Sequence, residues 1–267
     1  MLRHLTPTHR AGFLAPWRWA RWGAALGLVL AVLVFAPASW LANGVTQATA
    51  GQLQLQDARG TVWSGSARLA LTGGAGSRDS TFLPGRVQWQ LRPGWLSINT
   101  HITADCCTTV PLQAHISQRW GVTRLTIEDG SSQWPAELLA GMGTPWNTIR
   151  AEGTLILATQ GLTVEWLEGR RVLGGHADLT VRNLSSRMST LKPMGSYRLS
   201  LNGGASATLD LSTLEGKLQL SGNGRWVGSR LRFEGVASAD PEHVAALDNL
   251  LNIIGRRNGA RSIITLG

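Results

Sequence analysis

The sequence predicts a mainly β protein, in which a single N-terminal transmembrane helix precedes an antiparallel β-sandwich or open curved sheet, with a further helix near the C-terminus. Three observations carry this prediction. Residues 23–42 hold no charged side chain, short segments after residue 43 alternate apolar and polar residues, and residues near 250 repeat with a helical period. Glycine supplies 32 of 267 residues and charged residues only 15%, which excludes a coiled coil or a disordered chain.

Residues 1–22 form a basic leader that contains four arginines and no acidic residue. The twenty uncharged residues 23–42 match the roughly 20 residues that a helix needs to cross about 30 Å of hydrocarbon. By the positive-inside rule the leader stays in the cytoplasm and the chain after residue 42 is exported. We therefore expect a single-pass anchor at 23–42.

A cleavable signal peptide is the alternative to this anchor. Ala36-Pro37-Ala38 resembles the small-residue site at which signal peptides are cut. We prefer the retained anchor because the apolar stretch continues through Trp40 and Leu41.

The formal charge of +9 would suggest a nucleic-acid partner if it covered a folded surface. The leader arginines account for four of these charges, and an exported domain does not meet nucleic acid. We therefore expect no nucleic-acid binding.

Eleven segments of the exported part alternate with a period of two and predict half-buried strands. They are residues 52–56, 68–71, 86–91, 96–102, 124–127, 154–157, 176–181, 197–201, 207–211, 217–221 and 230–233. Turn-forming residues cluster between them, which favours antiparallel hairpins.

Two segments depart from the strand pattern. Ala136 to Met142 is read as a short helical turn. Residues 241–254 predict a helix with Asp240 as N-cap, Pro241 at its first position and Gly255 as C-cap.

The chain resembles itself at a shift of about 110 residues. A shift of 110 aligns the apolar phase and the glycines of residues 65–94 with those of 175–204, and a shift of 106 aligns Arg119-Trp120 with Arg225-Trp226. Chance alternation explains the apolar matches but not the arginine and tryptophan matches. We interpret 43–149 and 150–267 as related β halves that share one core.

Sequence motifs for catalysis are missing. The chain has no phosphate-binding glycine loop with its lysine, no H-E-x-x-H and no G-x-S-x-G, and its exported histidines are scattered. We expect no enzyme activity, no cofactor and no metal site.

Cys106 and Cys107 are adjacent, so a disulfide between them is one outcome, and free thiols or pairing between chains are others. With His101 and His115 they form a conceivable metal set, but adjacent cysteines lack the spacing of zinc sites. We assign the pair no functional chemistry. Of the eight exported tryptophans, we expect most in the core and some at a partner surface.

Three segments together resemble the type II secretion system protein N family. They are ARGTVWSGSARLAL at 58–71, LPGRVQWQLRPGWL at 83–96, and GNGRWVGSRLRFEGVASADPEHVAALDNLLNIIG at 222–255. The resemblance implies an inner-membrane component of the machine that moves folded proteins from the periplasm through the outer-membrane secretin. It implies contacts with other inner-membrane components and with the secretin. We expect those contacts at a sheet edge or at the sheet ends near Trp63 and Trp226.

A second hypothesis makes the protein an anchored lipid carrier. It requires a continuous apolar trough along the sheet, formed by Leu69, Leu71, Trp89, Leu91, Leu179, Val181, Leu199 and Leu201. A filled core would favour a protein that acts through protein contacts.

Overall fold

The computed structural model describes residues 17–167, 170–228 and 230–267. Four α-helices are found there: α1 Trp17–Val34, α2 Ala38–Ala48, α3 Trp146–Ile149 and α4 Val244–Ile254. Two 3₁₀-helices span Ala136–Met142 and Pro241–His243. The strands are β1 Leu53–Gly60, β2 Ser64–Thr72, β3 Ser80–Phe82, β4 Val87–Gly94, β5 Ser97–Ala104, β6 Leu112–Arg119, β7 Val122–Ile127, β8 Gly130–Pro135, β9 Ala151–Leu167, β10 Arg170–Ser186, β11 Gly195–Gly204, β12 Thr208–Gly216, β13 Leu218–Val227, β14 Arg230–Ala239, β15 Arg256–Asn258 and β16 Arg261–Leu266.

The strands form one antiparallel sheet in the described part of the chain. Its order is β1-β2-β4-β5-β6-β7-β9-β10-β11-β12-β13-β14-β16-β15, with β3 beside β2 and β8 beside β9. The mainly β prediction is confirmed, and of the two predicted architectures the single sheet is the one present. All eleven predicted segments overlap strands, whereas β3, β6, β8, β15 and β16 were not predicted.

The described residues divide into two compact units, one that ends at Ala36 and one that begins at Pro37. The basic leader lies outside the described residues up to position 16. Where the sequence predicted one helix over 23–42, α1 ends at Val34 and α2 begins at Ala38. Pro37 explains the break, because proline lacks an N–H and disfavours helical geometry in the residue before it. No helix in the described part of the chain combines the length and apolar character needed to cross a membrane.

Helix α2 belongs to the second unit. Ala38 and Ala42 are buried, and Ala38 packs in a cluster with Ala67 and Trp89. The sequence analysis placed both alanines in the anchor at 23–42, whereas the compact unit that contains the sheet begins at Pro37.

Four linked apolar clusters fill one face of the sheet under its helices. Helix α2 covers the cluster around Trp89, the 3₁₀-helix at Ala136–Met142 covers the next two, and α4 covers the fourth. Ile102, Trp134 and Val181 each contact two clusters, so the clusters form one core along the sheet.

The predicted C-terminal helix is present and its predicted caps occupy the expected positions, but neither has the usual cap geometry. Asp240 is the N-cap of the 3₁₀-helix that leads into α4, with Pro241 at its first position. The Asp240 side chain makes no capping hydrogen bond and forms an ion pair with Lys217 at 3.8 Å. Gly255 is the C-cap of α4. Gly255 is extended instead of left-handed. It is glycine because a Cβ there would overlap the carbonyl oxygen of Ile263.

The two predicted halves each run through six consecutive antiparallel strands, β1-β2-β4-β5-β6-β7 and β9-β10-β11-β12-β13-β14. Their registers differ. Ala67 pairs with Val87, whereas Ala177 pairs with Leu201 and not with Tyr197, the residue that a shift of 110 would place there.

Candidate interaction surface

Five hairpin turns that hold or adjoin tryptophan lie at one end of the sheet, which we call the tryptophan end. They join β1 to β2, β4 to β5, β6 to β7, β9 to β10 and β13 to β14. Because neighbouring strands are antiparallel, alternate turns meet at the same end of the sheet. The tryptophans are Trp63, Trp95, Trp120, Trp166 and Trp226.

Trp63 lies in the β1–β2 turn and is half-buried. The turn is closed by the Thr61 N–H, which donates to the Ser64 carbonyl at 2.9 Å, and by the Trp63 carbonyl, which accepts from the Leu91 N–H at 2.7 Å. The indole N–H of Trp89 donates to the Val62 carbonyl at 3.0 Å. The sequence 60–67, part of the family pattern, therefore folds into a turn held by the tryptophan of β4.

Trp226 lies at the end of β13 and is also half-buried. Its backbone N–H donates to the Ala207 carbonyl at 3.0 Å, which ties the β13–β14 hairpin to the neighbouring turn. Ten strand spacings separate the two hairpins, about 48 Å along the sheet. The structure therefore brings Trp63 and Trp226 to the same end of the sheet but not to one contact site.

Two other tryptophans are far more exposed and were not singled out from the sequence. Trp95 in the β4–β5 turn is 94% exposed, and Trp120 in the β6–β7 turn is 98% exposed. The turns are adjacent, since the Gln118 N–H donates to the Leu96 carbonyl at 3.0 Å. A usable signal was present in the sequence: each tryptophan stands next to a glycine between two alternating segments, where a two-residue hairpin loop forms.

Cys106 and Cys107 are joined by a disulfide with an S–S distance of 1.99 Å. They lie in the β5–β6 turn, at the opposite end of the sheet. Cys107 is buried against Leu83 and Leu138, and its carbonyl accepts the Gln133 N–H at 2.9 Å. Cys107 therefore lies in the core beside β8, whereas Cys106 is exposed.

His101 and His115, the other members of the suggested metal set, lie on β5 and β6. The His115 ring Nδ1 lies 2.6 Å from the Asn99 amide oxygen. Among the described residues no group of three histidine, cysteine or acidic side chains is close enough to hold a metal ion.

Four polar side chains on β10 and β11 are linked by hydrogen bonds, and we call this set the polar chain. They are His176, Asp178, Ser200 and Asn202. His176 contacts the Asn202 amide oxygen at 2.8 Å and Asp178 at 3.2 Å, and the Ser200 hydroxyl donates to Asp178 at 2.6 Å. Its hydrogen bonds to Asn202 and Asp178 raise the pKa of His176, and the Ser200 hydrogen bond lowers the pKa of Asp178. Ser200 contacts the carboxylate and not the imidazole, so the set lacks the serine–histidine contact of a hydrolase.

The lipid hypothesis required an open apolar trough along the sheet. Trp89 is only 4% exposed and packs with α2, Leu69 and Leu71 pack around Leu138 of the 3₁₀-helix, and Val181 packs in the cluster under α4. Leu91 and Leu179 also pack in these clusters, whereas Leu199 and Leu201 are half-buried on β11 and belong to none of them. Six of the eight positions are therefore covered by the protein's own helices, which favours a protein that acts by contact.

The model of one protein family matches the chain: type II secretion system (T2SS), protein N, over residues 51–264. The match includes every strand from β1 to β15 and most of β16. No curated protein and no solved structure matches the chain significantly. Because the match spans most of the chain and confirms the resemblance of the three sequence segments, the chain belongs to the type II secretion system protein N family.

Proposed function

We propose that this protein is a non-enzymatic inner-membrane component of the type II secretion system that acts through protein contacts. The family match over residues 51–264 carries the proposal. Helices cover most of the sheet face that could have formed a lipid trough, which supports a role through protein contacts over lipid carriage.

We propose that α1 attaches the β unit to the inner membrane, with the leader in the cytoplasm and the sheet in the periplasm. The large apolar side chains from Leu26 to Phe35 are exposed by 43% to 74%. An apolar surface of this kind on a single helix is typical of a segment that contacts lipid or another protein. Reporter fusions after residues 16 and 267 test this topology.

The proposed partners are other inner-membrane components and the secretin. The two sheet edges are poorly suited to accept a partner strand. β1 carries a register shift between Gln56 and Arg59 with Asp57 at φ 51°, and β15 is three residues long with two arginines. Bulges, short strands and charges protect edges from pairing, so we place the contacts at the tryptophan end, near Trp63 and Trp226.

The test is secretion by cells whose own copy is replaced by a variant. We expect Trp63→Ala and Trp226→Ala to reduce secretion of folded exoproteins and co-purification of the apparatus. Loss of one interfacial hot-spot tryptophan weakens binding by roughly 30-fold.

Trp146→Ala is the matched control, because Trp146 is 38% exposed on α3 and lies away from the tryptophan end. Cells that carry the Trp146→Ala variant should secrete exoproteins normally. Thermal melting of each variant separates a lost contact from a lost fold. Normal secretion by folded Trp63→Ala and Trp226→Ala variants would contradict the assignment of the contact to these turns.

A further inference from the structure

We propose that the adjacent β4–β5 and β6–β7 turns insert into the headgroup region of an anionic lipid bilayer, so that the sheet rests on the membrane by its tryptophan end. We call residues 92–96 and 118–121 the two tips. The proposal rests on the membrane attachment proposed above, and it assigns to the β unit a lipid contact of its own.

Each tip carries one tryptophan whose indole ring lies outside the hydrophobic core. Trp95 and Trp120 are 94% and 98% exposed, so neither contributes to the core. Trp120 also adopts φ 50° beside Gly121 at φ 79°, a two-residue turn in which asparagine and glycine are the favoured residues. A bulky residue that has a positive φ angle and a fully exposed side chain does not stabilise the fold. It indicates that the side chain contacts another surface.

A row of partly exposed apolar side chains crosses the sheet next to the tips. Ile98, Ile116, Leu125, Val164 and Leu173 lie opposite one another in turn across five neighbouring strands. This row lies two residues from Leu96 and four residues from Trp120, or about 7 Å and 13 Å along the strands. All five are half-buried or exposed. The helix-covered core begins farther from the tips along the same strands. A depth of 5–10 Å is that to which interfacial segments enter a bilayer.

The charge of the tips is complementary to anionic lipid. Arg92 and Arg119 flank the two tryptophans, both are exposed, and no ion pair joins either to an acidic side chain in the described residues. Between residues 86 and 127 Asp105 is the sole acidic residue, and it lies at the opposite end of the sheet. Indoles beside arginines are characteristic of the membrane interface.

The path of the chain favours a bilayer over a protein as the occupant. Pro37, where the β unit begins, forms a bridge with Thr61 in the β1–β2 turn. The chain therefore enters the β unit at the tryptophan end, so a membrane anchor on the N-terminal side of Pro37 is joined to the β unit at that end.

The test uses the full chain in vesicles of phosphatidylethanolamine and phosphatidylglycerol that contain a phosphatidylcholine brominated near its headgroup. Bromine quenches only indoles that enter the bilayer. We expect the Trp95→Phe/Trp120→Phe double variant to lose part of the quenched fluorescence of the wild type. The loss should be smaller when phosphatidylglycerol is omitted or when Arg92 and Arg119 are both replaced by Gln.

Trp134→Phe is the control, since Trp134 packs in the core and its replacement should leave the quenched component unchanged. Flotation of the vesicles measures attachment separately. Wild-type protein that does not float overturns the membrane attachment and this proposal together. Protein that floats with Trp95 and Trp120 unquenched overturns this proposal alone, and cross-linking of position 120 to a secretion protein in cells would then assign the tips to a protein partner.

Discussion

At the scale of single residues, His176 is the clearest case of a group whose ionisation depends on the fold. The Asn202 amide oxygen is the main cause of its raised pKa, and Asp178 adds a further contribution. A raised histidine pKa stabilises the fold fully below its ordinary value of 6.5, and that stabilisation is lost as the pH rises through the folded-state pKa. For Asp178 the pKa is lowered, so its contribution is present above 3.8 and is lost as the pH falls through the folded-state value.

We therefore predict that the polar chain on β10 and β11 stabilises the fold most between about pH 3.8 and 6.5. NMR titration of the His176 ring should give a pKa above 6.5, and Asn202→Ala should lower it. Asp248→Asn, which removes a carboxylate paired with Arg257 on a different part of the fold, should leave the His176 titration unchanged. A wild-type ring that titrates at or below 6.5 would contradict the assignment.

Gly65 shows why one position of the family pattern requires glycine. It lies opposite Trp89, and a Cβ there would lie 2.5 Å from Cζ2 of that indole and 2.7 Å from the Arg59 carbonyl oxygen. We predict that Gly65→Ala destabilises the protein by about 1–3 kcal/mol, because the indole must leave its place in the core.

Urea denaturation measures this loss, and Gly44→Ala provides the control. Gly44 lies in α2 with no atom within 4 Å of an added Cβ, so alanine there should leave stability unchanged or raise it by up to about 1 kcal/mol. Equal effects of the two substitutions would show that the contact with Trp89 is not the cause.

At the scale of elements, the sequence predicts strands where alternation is strong and misses those that depend on pairing. Residues 130–135 have no apolar alternation, and β8 forms because it pairs with β9 from Gly130–Thr159 to Pro135–Thr154. Similarly, the three residues of β15 are a strand through their pairing with β16. The same limit applies to the candidate surface: the glycine beside each of Trp95 and Trp120 marks a turn in the sequence, but that the two turns are adjacent follows from which strands are neighbours.

Helix α4 was predicted from its apolar face, and that face should carry much of the stability of the second half. Leu251 is fully buried in a cluster with Tyr197 and Ala237. We predict that Leu251→Ala lowers the free energy of unfolding by about 2–5 kcal/mol. The neighbouring exposed Asn252→Ala should change it by less than about 0.5 kcal/mol, and chemical denaturation of both variants checks the difference.

At the scale of the whole molecule, we propose that the two halves arose from one β unit and then diverged. Both halves follow the same order of six strands. β14 is a continuous strand where the first half has two, β7 and β8, which both pair with β9. Such breaks and the changed pairing of Ala177 would make the repeat only partly visible in sequence.

The boundary at 36/37 leads to a prediction about the smallest piece that folds. Helix α2 covers Trp89 with Ala38 and Leu41, and Pro37 bridges Thr61. A fragment of residues 37–267 keeps these contacts, so it should unfold cooperatively in urea. A fragment of residues 49–267 exposes the Trp89 cluster, and we expect it to be less stable by about 2 kcal/mol or more. The sequence-based boundary at 42/43 predicts instead that residues 37–42 add nothing. A fragment of residues 43–267 distinguishes the two, because equal stability of 43–267 and 37–267 would show that Ala38 and Leu41 are dispensable to the β unit.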